Sequence, residues 1–125
     1  MNAKTLAALA LVAFAIAPAA SAGAESDAAH GQQLYEQRCI ACHSLDANRV
    51  GPMHRGVYGR KAGSVAGYNY SPAVRNAGIV WDETTLDKWL TNPQGLIPGQ
   101  RMNFRVSQAE DRTDIIAFLK RESGK

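Results

Sequence analysis

Cysteine is scarce in this chain: of 125 residues only Cys39 and Cys42 carry a thiol. Small exported domains that rely on disulfides use several of them, so a disulfide framework is excluded. Aromatic residues are few as well, with two Trp, four Tyr and three Phe, and Phe14 among them falls in the first apolar run. The remaining apolar side chains suit a modest core, and a domain of this size often needs a further staple. Charge of one sign does not accumulate. The chain has 14 Lys and Arg against 11 Asp and Glu, a net charge of +3 that falls by one without Lys4. No basic run interleaved with aromatics is present, so nucleic-acid binding is not expected. No stretch approaches the roughly 20 apolar residues of a membrane-spanning helix, and no stable membrane insertion is expected. Repeats and low-complexity tracts are missing after the first apolar run.

What is there begins with an export signal. Lys4 precedes the apolar run Leu6 to Ala17, and Ala20-Ser21-Ala22 forms a small-residue cleavage site. Residues 1–22 therefore read as a cleaved signal peptide and residues 23–125 as one domain. Ala22-Gly23-Ala24 is a second acceptable site. Gly23 to Ser26 should form a loose start. This organisation argues against a cytoplasmic enzyme, an integral membrane protein and a multidomain protein.

Helix signals punctuate the domain. Asp27 can cap a helix over 28–39, with Ala28, Gly31, Leu34 and Tyr35 on one side. Gly31 in mid-helix costs about 1 kcal/mol against Ala, and such a glycine usually admits a close neighbour. Ser71-Pro72 starts a short helix that Gly78 should end. Asp82 caps another, with Leu86, Trp89 and Leu90 on one face and Asn92-Pro93 at its end. Ser107 and Glu110 spell a capping box for a last helix carrying Ile115, Ile116, Phe118 and Leu119, with Lys120 and Arg121 in its last turn. Between Ser44 and Tyr70 neither helix nor strand periodicity appears, and glycines recur at 51, 56, 59, 63 and 67. Loops longer than about 12–15 residues are uncommon without a functional reason. One that wraps a large group has such a reason. The expected fold is all-α, with several short helices and long loops.

The chemistry lies in Cys39-Ile40-Ala41-Cys42-His43. Cys-x-x-Cys-His is the attachment signature of a c-type haem. Two thiols three positions apart at a helix end can reach the two vinyl groups on one porphyrin edge, and the adjacent His43 can give its imidazole to iron. The bonded ring would be the staple that disulfides do not supply. A redox dithiol would call for a βαβ pattern, which is missing. A structural zinc site needs four N or S ligands, and here only His30 or His54 could complete the set. A disulfide in so small a loop leaves the glycine-rich segment unexplained. For the second axial position the candidates are His30, His54, Met53 and Met102. A lone methionine is more often core filler than ligand. Met102 is favoured by its setting, the turn-rich Ile97-Pro98-Gly99-Gln100-Arg101 loop between two helices.

Taken together, these pieces resemble a class I cytochrome c, and within it the group of mitochondrial cytochrome c and bacterial cytochrome c2. The resemblance spans essentially all of 23–125. It rests on the haem motif, Gly51-Pro52, Gly59-Arg60-Lys61, Gly67-Tyr68-Asn69-Tyr70, Gly78-Ile79-Val80-Trp81, Asn92-Pro93, Ile97-Pro98-Gly99 with Met102, and 114–119. It implies that Cys39 and Cys42 hold one haem c covalently and that His43 and Met102 are its axial ligands. The Pro52 carbonyl would accept the His43 Nδ1–H. Tyr70 and Trp81 would hydrogen-bond a buried propionate, and Arg60 would balance its charge. Read alone, Tyr70 and Trp81 are core residues and Arg60 a surface cation. Gly31 and Tyr35 would pack against Ile115 and Phe118, and Phe104 would lie near the exposed haem edge.

The sequence also departs from the group. The stretch between His43 and Gly51 is shorter than in the mitochondrial proteins. Met53-His54-Arg55 stands where those proteins have Asn-Leu-His, and Met53 is expected to replace an apolar core residue. Val74 replaces a polar residue near the haem, and Trp89 replaces a tyrosine beside the methionine ligand. Gln94-Gly95 replaces a lysine pair, so the docking face should be less basic. The resemblance implies a soluble periplasmic electron carrier, monomeric, with no substrate of its own. It would dock transiently with donor and acceptor redox proteins at the haem edge. Two other readings are a dedicated redox subunit of a periplasmic dehydrogenase, and a peroxidase or gas-binding haem protein with an open sixth site.

Overall fold

Local caps start three of the helices where the sequence places them. In the computed structural model, which describes residues 26–125, Asp27 accepts hydrogen bonds from the backbone N–H groups of Ala29 and His30 and opens α1 (Ala28–Arg38). Ser71 accepts from Val74 N–H and opens α2 (Pro72–Arg75), with Pro72 in its first turn. Asp82 and Thr85 form a reciprocal capping box that opens α3 (Glu83–Thr91). A short α4 (Pro93–Leu96) follows, then α5 (Ala109–Ser123). The signal segment lies outside the described residues, as does the start of the expected loose segment, 23–25.

Three expectations need correction. The last helix is not capped by Ser107: its N-cap is Gln108, with no side-chain cap bond. Val106 is buried in the core with its N–H on the Leu90 carbonyl at 2.8 Å. Arg112 donates to the carbonyls of Val106 and Ser107, both at 3.0 Å. These bonds hold 106–107 outside the helix. The helix after Ser71 ends at Arg75, before Gly78, on a bond from Asn76 N–H to Pro72 O. The helix α4 was not expected, because Asn92-Pro93 reads only as a stop for α3.

The frame is the crossing of α1 on α5, with α3 packed on α4 and α5. A Cβ built on Gly31 would lie 1.9 Å from the Asp114 carbonyl oxygen, so the two backbones meet at that glycine. Around it Leu34 and Tyr35 of α1 bury against Ile115, Ile116, Phe118 and Leu119 of α5. Tyr35 and Phe118 have ring centroids 5.1 Å apart. Each such apolar side chain contributes about 1.5–3 kcal/mol relative to exposure. Asp114 also accepts from Asp27 N–H at 2.7 Å and bonds His30 Nδ1 at 2.8 Å, tying the start of α1 to α5.

From 44 to 70 the chain is irregular, as expected. Among the described residues the only extended pairing is one antiparallel bridge between Lys61 and Val80. Gly56, Gly59, Gly63 and Gly67 all take positive φ, which costs an L-residue roughly 1–2 kcal/mol. The loop is fastened at both flanks. Arg55 binds Asp46 through Nε at 2.5 Å and the buried Glu122 of α5 through Nη1 at 3.2 Å. Gly59 N–H donates to Trp81 O at 2.6 Å and Trp81 N–H to Arg60 O at 2.9 Å.

Candidate haem site

The helix end builds the attachment segment. Past α1 the winding continues for one more turn: Cys42 N–H and His43 N–H both donate to the Cys39 carbonyl, at 3.1 and 2.9 Å. Positions three apart on such a turn face the same way, so Cys39 and Cys42 share one side. Both are free thiols. Cys39 packs against the core cluster, and burial pushes its thiol up to about 11. Cys42 is exposed.

His43 follows directly and is half-buried. Its Nδ1 donates to the Pro52 carbonyl at 2.9 Å, which leaves Nε2 as the lone-pair nitrogen. Burial holds its pKa below the ordinary 6.5, against the opposing pull of the Pro52 carbonyl. A neutral imidazole is the form that binds metal. Gly51 makes the space: a Cβ there would come within 2.1 Å of His43 Cε1.

Opposite in sequence, the Met102 loop is held by its neighbours. Met102 N–H donates to Oε1 of the buried Gln100. Arg101 donates to Asn69 O at 3.2 Å, and a Cβ on Gly99 would sit 3.3 Å from Ala73 Cβ. The loop therefore lies on α2 and the Asn69 segment. Met102 itself is half-buried. Phe104, two residues on, is 39% exposed.

The three remaining expected residues fall at the flank of the long loop. Arg60 and Trp81 are neighbours through the Trp81 N–H bond to Arg60 O. The Arg60 guanidinium donates to the carbonyls of Met53 at 2.8 Å and Arg55 at 3.2 Å. Tyr70 and Trp81 are both buried at 8% exposure, and the Tyr70 hydroxyl accepts from Val65 N–H at 3.2 Å. Val74 and Trp89 are partly buried against the core, and the Trp89 ring lies 5.2 Å from that of Trp81.

At 53–55 the expectation for Met53 is corrected. The side chain that packs inward belongs to His54, whose ring stacks on His43 with centroids 3.9 Å apart. Its Nδ1 is hydrogen-bonded to the Tyr35 hydroxyl at 3.0 Å. Met53 instead has its backbone tied, its N–H on Asn48 Oδ1 and its carbonyl on Arg60. The signal for this was the register itself, which sets His54 on the leucine of Asn-Leu-His.

The donor set fits a covalent haem. Two thiols share one side of a helical turn, and the imidazole that follows them has its Nδ1 on the Pro52 carbonyl and its Nε2 left as the lone-pair nitrogen. Among the described residues no cluster of three or more His, Cys, Asp and Glu is arranged to hold a metal. The class this defines is an all-α protein that wraps long loops around a haem bonded through a Cys-x-x-Cys-His turn.

A family model described as cytochrome c matches residues 28–122. A cytochrome c2 of Rhodomicrobium vannielii is 43% identical over 120 residues, covering 93% of this chain and 95% of that protein. A cytochrome c of Arabidopsis thaliana is 44% identical over 103 residues, covering 79% of this chain and 92% of that protein. Among solved structures, cytochrome cH from Methylobacterium extorquens superposes with a TM-score of 0.73 at 41% identity, covering 77% of this chain and 99% of its own. The chain belongs to the cytochrome c family. Members of this family carry a covalently attached haem c and serve in electron transport, and Cys39 and Cys42 fit the attachment motif.

Proposed function

We propose that this chain is a periplasmic one-electron carrier whose haem is anchored by Cys39 and Cys42 and ligated axially by His43 and Met102. The observation that carries the reading is the His43 Nδ1 bond to Pro52 O at 2.9 Å, beside two free thiols on one helical turn. That bond commits the outer nitrogen and orients the inner one. The bound haem supplies an iron that gains and loses one electron. The protein's own residues do the rest. Cys39 and Cys42 fix the ring to the end of α1. Gly51 leaves room for the imidazole, and Gln100 holds the Met102 backbone. A methionine sulfur favours reduced iron and raises the potential. With both axial positions filled, no site remains for oxygen or peroxide, which favours a carrier over an enzyme. Arg60, Tyr70 and Trp81 are assigned to the propionate side, supported by the backbone bond that joins 60 to 81. A bound haem would exchange electrons with donor and acceptor proteins during short encounters, and the exposed Phe104 would lie on the docking face. Such redox encounters bury little area, under about 1,200 Å², and charge complementarity sets their rate.

Export belongs to the same reading. Residues 1–22 direct the chain across the inner membrane, and 23–125 form the working domain, a monomer. Mass measurement of the exported protein should give a start at Gly23, or two residues later. The functional test is the optical spectrum of protein exported with haem-maturation machinery, first oxidised, then reduced under CO. A methionine–iron charge-transfer band and no CO shift are expected. CO binding without that band would overturn the closed site and point to peroxidase or gas-binding chemistry.

A further inference from the structure

His54 is an inward-packed titratable side chain that the haem-binding motif does not use. Its ring lies on that of His43 with planes 18° from parallel and centroids 3.9 Å apart. Two hydrogen bonds hold it there, and the partner in the first is itself anchored. The Tyr35 hydroxyl bonds its Nδ1 at 3.0 Å. Its backbone N–H donates to the carbonyl of Ser44, the residue after His43, at 2.9 Å. Tyr35 is itself fixed, 3% exposed and packed on Phe118 of α5.

We propose that His54 is a positioning residue that sets the plane of the His43 ring. The inference rests on the reading of His43 as an iron ligand. The Nδ1 bond to Pro52 chooses the tautomer and aims Nε2, but one bond leaves the ring free to rock about that direction. A flat neighbour on the ring's face removes the rocking. Tyr35 keeps that neighbour in place, so the restraint runs from the α1–α5 crossing to the ligand. Partners behind a metal ligand commonly orient it and tune the metal. In low-spin ferric haem the orientations of both axial ligands, the imidazole plane among them, set which iron orbital holds the unpaired electron. With the methionine side unaltered, a change in the asymmetry of the paramagnetic spectrum reports a change in that plane.

The test uses the haem-loaded full domain in four forms: parent, His54→Ala, His54→Phe and Tyr35→Phe. Proton NMR reads the order and spread of the ferric haem-methyl shifts, and thermal unfolding is followed alongside. The expected result is an altered order or spread in His54→Ala that His54→Phe returns toward the parent. Both lose the Tyr35 bond and stability, so stability alone would not separate them. Tyr35→Phe should give a smaller change in the same sense. Parent-like shifts in His54→Ala overturn the proposal, as does a change that His54→Phe leaves unreversed. If His54→Ala does not accumulate with haem, Tyr35→Phe decides: a changed pattern supports the proposal and the parent pattern overturns it. A parent without low-spin ferric iron would overturn the ligand reading, and this inference with it. A low-spin parent with unchanged variants overturns this inference alone.

Discussion

Replacing Gly31 by Ala sets two effects of opposite sign against each other. Helix propensity favours alanine in the middle of α1 by about 1 kcal/mol. Packing opposes it, because the new methyl would lie 1.9 Å from the Asp114 carbonyl oxygen and 2.4 Å from its carbon. Both atoms are α5 backbone, so no side-chain rotation relieves the overlap and the helices must separate by over 1 Å to reach ordinary contact. Overpacking of this kind costs about 1–3 kcal/mol, occasionally more, and a backbone obstacle belongs at the upper end. Separation also stretches the Asp114 bonds to Asp27 N–H at 2.7 Å and His30 at 2.8 Å. It loosens Tyr35 against Phe118 as well, now 5.1 Å between centroids. The net expectation is a loss of about 2 kcal/mol, or roughly 8–16 °C in Tm for a domain of this size. The assay is urea unfolding of the haem-loaded protein, with the midpoint shifted and the slope unchanged. Gly31→Ser should cost at least as much. An alanine variant as stable as the parent would refute the close-approach argument and leave propensity as the governing term.

Other substitutions probe the site and the helix crossing. Met102→Ala should keep the haem attached, lower the reduction potential and let reduced protein bind CO; an unchanged potential would remove Met102 from the ligand set. Gly51→Ala drives a methyl into the His43 ring, 2.1 Å from Cε1, so little low-spin holoprotein should accumulate. Normal yield with the parent spectrum would refute the cradle. The His30–Asp114 contact predicts a pH dependence. The bond to Asp114 raises the His30 pKa above its ordinary 6.5. Its stabilisation is therefore complete below 6.5 and fades as pH rises through the folded-state value. Urea midpoints measured across that window should fall in the parent and stay flatter in His30→Gln; parallel curves would dismiss the contact.

The features legible in the sequence share a short reach. Asp27, Ser71 and Asp82 cap helices through bonds to backbone two or three residues ahead. Such bonds depend on nothing distant. The spacing of Cys39, Cys42 and His43 is equally local, because one helical turn sets it. Gly31 could be read as a close-approach site, although its partner could not. The features that local patterns do not specify have long reach. Gln108 rather than Ser107 caps α5 because Val106 is pinned to Leu90, sixteen residues back in sequence, while Arg112 holds the intervening carbonyls. Ser107 and Glu110 obey the capping pattern, and the tertiary bonds override it.

His54 gives the sharper case. By composition it was one of several spare ligands, and nothing local marks it as a neighbour of His43. Only the folded loop, closed by His54 N–H on Ser44 O and by Tyr35 from α1, stacks the two rings. The sequence by itself determined an all-α chain and a Cys-x-x-Cys-His turn, because backbone caps and helical spacing act within one turn. It determined the membership in the cytochrome c family through the order of its motifs. The tertiary structure alone decided where α5 begins and what backs the His43 ring. Those choices are made by hydrogen bonds and contacts between segments far apart in the chain, and no local pattern encodes them.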